Sequence, residues 1–183
     1  MSDKEFEFDK DIFEKGMSLA YSLIISQFED LKSDIDDVFD EFELPKSDKL
    51  IFLEYIFFIS SHVQRKAFDK YGEELGTCFF TGFRDSLKEL ILSGPDQDMY
   101  LNLLTQRIGE YGTLYDIDRG YDYFVNKRVP NQICTWLLVK MIKDSPYANN
   151  IADPIIEEKF HESINNSILE RINSKIDWTQ EIG

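Results

Sequence analysis

The sequence predicts an all-α protein, a single-domain bundle of six or seven helices spanning residues 1–183. Three observations carry this. Apolar residues recur at three- and four-residue steps in segment after segment, the repeat of a helix with one buried face. No stretch alternates with period two for long enough to form a strand. Glycine and proline number only nine and five, which suits long helices joined by short connections.

The bundle is expected to form around a central helix at about residues 48–71. Nine of the ten residues from Leu50 to Ile59 are apolar or aromatic, a density that only a buried element tolerates. Phe52, Ile56, Ile59, Val63 and Ala67 continue at helical spacing. Ser47 or Asp48 is placed to cap its start and Gly72 to stop it.

Before it, residues 1–9 read as a loose arm. Residues 11–32 read as an amphipathic helix through Phe13, Met17, Ala20, Ile24, Phe28 and Leu31. Residues 34–43 hold six acids and no base. Their apolar side chains, Ile35, Val38, Phe39 and Phe42, fall on one side of a short helix and the acids on the other.

After it, residues 73–92 carry Leu75, Phe79, Phe83, Leu87 and Leu90 at helical steps. Gly76 and Gly82 weaken that helix and are expected where another helix comes close. The run from Ser93 to Asp96 ends it and starts the next, with Leu101, Leu104, Ile108, Tyr111 and Tyr115 on one stripe as far as about Gly120. Residues 116–129 form the longest expected irregular connection. Pro130 opens a short helix with Ile133, Trp136, Leu137 and Met141 on one face, closed by Ser145 and Pro146. Asp153 and Pro154 start the last helix, lined by Ile156, Phe160, Ile164, Ile168, Ile172 and Ile176. Residues 178–183 are expected as a loose tail.

The net charge of −15 argues against nucleic-acid backbone binding and against an anionic membrane surface, both of which need a basic face. A basic protein partner is compatible with it. Residues 1–48 hold fifteen acids and five lysines, so two-thirds of the net charge sits at one end. Cys78 and Cys134, the two cysteines, make no metal motif and imply no disulfide, though a bond between them stays open. The first eleven residues are charged and resemble no signal peptide. The longest apolar run is about half a membrane span and contains Glu54. A soluble, cytoplasmic setting is expected.

Phosphate loops, dinucleotide glycine fingerprints, nucleophile elbows and paired-cysteine zinc motifs are absent from the sequence. The acidic run fails as a calcium loop: Phe39 stands where glycine is needed and Pro45 where a bidentate glutamate belongs. Glu158 and His161 have the Glu-x-x-His spacing of di-iron bundles, but the second such pair is missing. They are read as part of a solvated face, and no metal or cofactor is expected.

Three groups of side chains stand out. On the central helix, Glu54, Ser61, His62, Arg65 and Asp69 share a sector about 100° wide. The neighbours of Glu54 at three and four residues are Leu50, Ile51, Phe57 and Phe58, so its own helix cannot satisfy it. Burial of an unpaired carboxylate is costly. Glu54 is therefore expected to be buried and bonded across to another helix, first to an arginine such as Arg84 or Arg107, second to a tyrosine hydroxyl. Alternatively, Glu54, His62 and Arg65 line a ligand pocket or form an acid–base pair, whereas Arg65 and Asp69 alone suit a solvated face. The second group is the acidic face itself, with Asp36, Asp37, Asp40 and Glu41 as candidate partner-binding residues. A third cluster, Tyr111, Tyr115, Tyr121 and Tyr123 with Arg119, Lys127 and Arg128, is the only locally basic and aromatic region. It fits either a recognition surface or tyrosines that cap the core.

The leading functional expectation is a non-enzymatic interaction protein of the inhibitor, immunity or regulatory type, binding a basic protein through its acidic N-terminal third. The alternative is a small-molecule-binding protein or enzyme using the polar sector around Glu54, His62 and Arg65. An oligomeric structural subunit is a third reading, and the sequence does not fix the oligomeric state.

Overall fold

A computed structural model describes residues 8–26, 28–90, 94–117, 137–142 and 154–165. The protein is all-α. Among the described residues every regular element is helical: α1 (Lys10–Tyr21), a π-helical turn (Ser22–Ser26), α2 (Phe28–Glu41), α3 (Asp48–Leu90), α4 (Gln97–Ile117) and α5 (Pro154–Ser163), with residues 137–141 also helical. Of the expected loose ends, residues 1–7 and 178–183 lie outside the described residues. So do residues 118–136, the closure at Ser145 and Pro146, Cys134, and the isoleucines at 168, 172 and 176.

The central helix is the first limb of α3. Ser47 starts it, with its hydroxyl accepting from the Leu50 amide at 3.4 Å and its carbonyl from the Ile51 amide at 2.9 Å. Every residue from 54 to 63 is buried, so the middle of this limb is covered on all sides. At Gly72 the backbone adopts φ 78° and ψ −179°, which lies outside helical geometry and suits a residue without Cβ. The 43-residue α3 is thus two helices, 48–71 and 73–90, meeting at a sharp corner. There the Tyr71 and Phe79 rings lie 5.4 Å apart, and a Cβ on Gly76 would meet the Phe68 ring at 2.5 Å.

The second limb of α3 receives α1 through two reciprocal glycines. A Cβ on Gly16 would lie 1.9 Å from the Phe79 carbonyl oxygen, and one on Gly82 would lie 2.0 Å from that of Phe13. The crossing is backbone against backbone, as expected for Gly82; Gly76 is instead crowded by the other limb of its own helix.

Two boundaries differ from the sequence expectation. The helix expected over 11–32 is interrupted by the π turn at 22–26, and α2 runs without a break through Lys32 and Ser33 to Glu41. A π turn holds one residue more than an α turn and so resets the buried face. That keeps Leu23 and Ile24 buried while Phe28 packs on Phe52 and Tyr55, with ring centroids at 4.5 and 5.3 Å. α2 ends with Glu43 at φ 51°. The Leu44 amide donates to Phe39 and the Glu43 amide to Asp40, at 2.8 and 3.3 Å, the paired bonds of a left-handed helix stop.

α2 and α4 flank the first limb of α3. Lys32 reaches Asp48 while Phe28 reaches Tyr55, so α2 runs opposite to that limb. Lys49 approaches Tyr100, Glu54 meets Arg107, and Phe58 meets Tyr111. The paired positions rise together, so α4 runs in the same direction. α5 lies against α2 and buries Phe160 and Ile164 in the core.

Candidate functional site

Glu54 is 3% exposed and faces α4. Arg107 Nε donates to both of its carboxylate oxygens at 3.1 Å, and Nη2 donates to Oε1 at 3.0 Å. Arg107 Nη1 donates to Glu110 Oε2 at 2.8 Å, and Lys140 approaches the same oxygen at 4.0 Å. Of the two arginines the sequence offered, Arg84 is exposed and Arg107 is the partner. Burial works against the Arg107 charge, but the hydrogen bond and charge of Glu54, with Glu110 behind it, hold its pKa above the ordinary arginine value. Burial likewise pushes the Glu110 carboxyl up, and the Gln106 hydrogen bond with the charges of Arg107 and Lys140 brings it below its usual range.

In the same sector, His62 and Arg65 have separate partners. His62 is wholly buried and stacks on Phe58, with ring centroids 6.4 Å apart. Arg65 is half-buried, and its Nη2 donates to the Gly112 carbonyl at 3.1 Å, while Asp69 is exposed. Along a helix rising about 1.5 Å per residue, His62 stands about 12 Å from Glu54 and Arg65 about 16 Å. His62 and Arg65 are neighbours by one turn; Glu54 stands apart from both.

The acidic face is carried by α2, whose apolar stripe Ile35, Val38 and Phe39 is buried. Asp37, Asp40 and Glu41 are exposed, whereas Asp36 is half-buried, a departure from the uniformly exposed acids expected. Lys32 reaches Asp36 at 2.6 Å and Lys46 reaches it at 2.9 Å, with Asp48 3.5 Å from Lys32 and Asp40 3.8 Å from Lys46. Burial raises the Asp36 carboxyl, but the two lysines outweigh it and hold the pKa below its usual value. One flank of the acidic run is thus neutralised by the chain's own lysines.

The other flank opens onto α5. A groove of about 320 Å³ lies there, lined by Asp34, Asp37, Val38, Glu41, Lys159, Glu162 and Ser163. Among the described residues four carboxylates there face one ammonium. Lys159 pairs with Glu41 and sits 5.4 Å from the centre of the Phe42 ring. Glu162 and Lys159 were not singled out by sequence reasoning, because only the packing of α5 on α2 brings them to the acidic run. Glu158 is exposed and His161 half-buried. Among the described residues no group of three or more His, Cys, Asp or Glu side chains is placed to hold a metal ion, and no helix is long and apolar enough to cross a membrane.

Of the basic and aromatic cluster, Tyr111 is wholly buried, its ring 5.7 Å from that of Phe58. The Tyr115 side chain and residues 119, 121, 123, 127 and 128 lie outside the described residues. Comparisons with protein-family models, with curated proteins and with solved structures found no match.

Proposed function

We propose that this protein is a non-enzymatic interaction module that binds a basic protein partner through its acidic face, in the manner of an inhibitor or immunity protein. The observation that supports this reading is the α2–α5 groove, where, among the described residues, Asp34, Asp37, Glu41 and Glu162 line a concavity with one cation, Lys159. Carboxylates on an open surface raise the rate of encounter with a basic protein and lose that advantage as salt screens them. Within the candidate set Asp36, Asp37, Asp40 and Glu41, all but Asp37 already pair, among the described residues, with lysines of the chain itself. The partner's cations are therefore assigned first to Asp37, joined by Asp34 and Glu162, with the exposed Glu41 exchanging Lys159 for a partner cation at small cost. A cytoplasmic setting fits this reading. The small-molecule reading built on Glu54, His62 and Arg65 draws no support from side chains that are each engaged by a different neighbour.

Affinity capture from the native host at low and moderate salt should return a basic protein whose retention falls with salt. With that partner purified, Asp37→Asn combined with Glu162→Gln should slow association about tenfold at low salt and leave dissociation nearly unchanged. Equal association rates and equal salt dependence in the variant would remove the acidic-face reading.

A further inference from the structure

Lys159 is the cation that the described residues place in the α2–α5 groove. It pairs with Glu41 and sits 5.4 Å from the centre of the Phe42 ring, so a carboxylate and an aromatic face together hold its ammonium. This end of the groove already takes a cation, and the cation is the chain's own. Asp34, Asp37 and Glu162 line the rest of it, and among the described residues no lysine or arginine pairs with them. Asp34 lies two helical turns before Glu41, about 10 Å along α2, so Lys159 cannot serve both ends at once.

We propose that Lys159 is the groove's internal competitor, and that a partner enters by displacing it with two or more cations. The inference rests on the acidic-face reading and adds what guards that face and what opens it. One partner ammonium in the place of Lys159 exchanges one ion pair for another and gains nothing against the cost of association. A second cation changes the balance, because it reaches Asp34, Asp37 or Glu162 without displacing anything. The displacement itself is cheap. Both the Glu41 and the Lys159 side chains are open to water, so the freed ammonium returns to solvent. The partner's chemistry follows: a segment with cations about 10 Å apart, the spacing of every third residue in an extended chain rising about 3.3 Å per residue. Isolated lysines are turned away.

The test uses the full chain at low salt with two end-blocked peptide probes, a fourfold repeat of Lys-Gly-Gly and a single Gly-Gly-Lys. The Lys159 Cε–Hε NMR signal, shifted by the Phe42 ring, should move to the position of a free lysine as the repeat peptide is added, in step with the amides of Asp34, Asp37 and Glu162. The single-lysine peptide at equal lysine concentration should leave it in place. Lys159→Gln should bind the repeat peptide about fivefold more tightly than the parent. Amide shifts with the Lys159 signal unmoved, equal displacement by the single-lysine peptide, or equal affinity of parent and variant each overturn the proposal and leave the acidic-face reading standing. Shifts at none of these amides, in parent or variant, overturn both.

Discussion

The α3–α4 contact and the α2–α5 contact both join a carboxylate to a cation across two helices, and water separates their roles. Glu54 and Arg107 have side chains 4% and 5% exposed, whereas Glu41 and Lys159 stand at 51% and 43%. In the buried pair each charge has left water and depends on the other. In the exposed pair either member can exchange its partner for solvent at small cost. The same chemistry is therefore architecture in one place and an available surface in the other.

The sharpest way to break this comparison is Glu54→Ala. It strands the Arg107 cation in the interior and should cost on the order of 3 kcal/mol in urea unfolding. A cost below about 1 kcal/mol would put the buried pair in the same class as the exposed one. An uncharged control follows. Gly82→Ala drives a methyl group against the Phe13 carbonyl and should cost about 2 kcal/mol by overpacking, with no change in salt dependence. A salt-dependent loss would mean that the α1 crossing also acts through charge.

The smallest effect concerns Asp36, which is intermediate between the two cases. Its pKa is lowered in the folded protein, so its stabilising contribution is complete above the ordinary aspartate range. That contribution is lost as pH falls through the folded value. Asp36→Asn should therefore be less stable than the parent at neutral pH, by less than about 1 kcal/mol, and the difference should shrink below about pH 4. A gap that stays constant down to pH 2 would show that the lysines do not act through the Asp36 charge.

What the sequence revealed was local. The spacing of apolar side chains located the two limbs of α3 and α4, Gly72 marked the corner of α3, and the apolar neighbours of Glu54 required a partner from elsewhere. The π turn at Ser22–Ser26 was hidden because Ala20, Ile24 and Phe28 keep a four-residue step across it, so one added residue leaves no trace in the pattern. The counterions of Asp36 were hidden because the expected break between residues 32 and 34 separated Lys32 from it, whereas one continuous α2 sets them one turn apart, and because Lys46 reaches it only once the chain turns at Glu43. Glu162 was beyond reach for a plainer reason: the carboxylates it joins in the groove, on α2, lie more than a hundred residues away in the chain.

The paired glycines of the α1 crossing have a consequence for how the chain is made. Gly16 meets Phe79, sixty-three positions later, so α1 leaves the ribosome long before the surface that will cover it. Its apolar residues, Leu19 and Ala20 among them, must wait through the synthesis of α2 and the first limb of α3. Contacts of such long separation form slowly. Folding of this protein should thus be limited by the arrival and docking of α1 on residues 73–90, and substitutions at the crossing should slow refolding more than they speed unfolding.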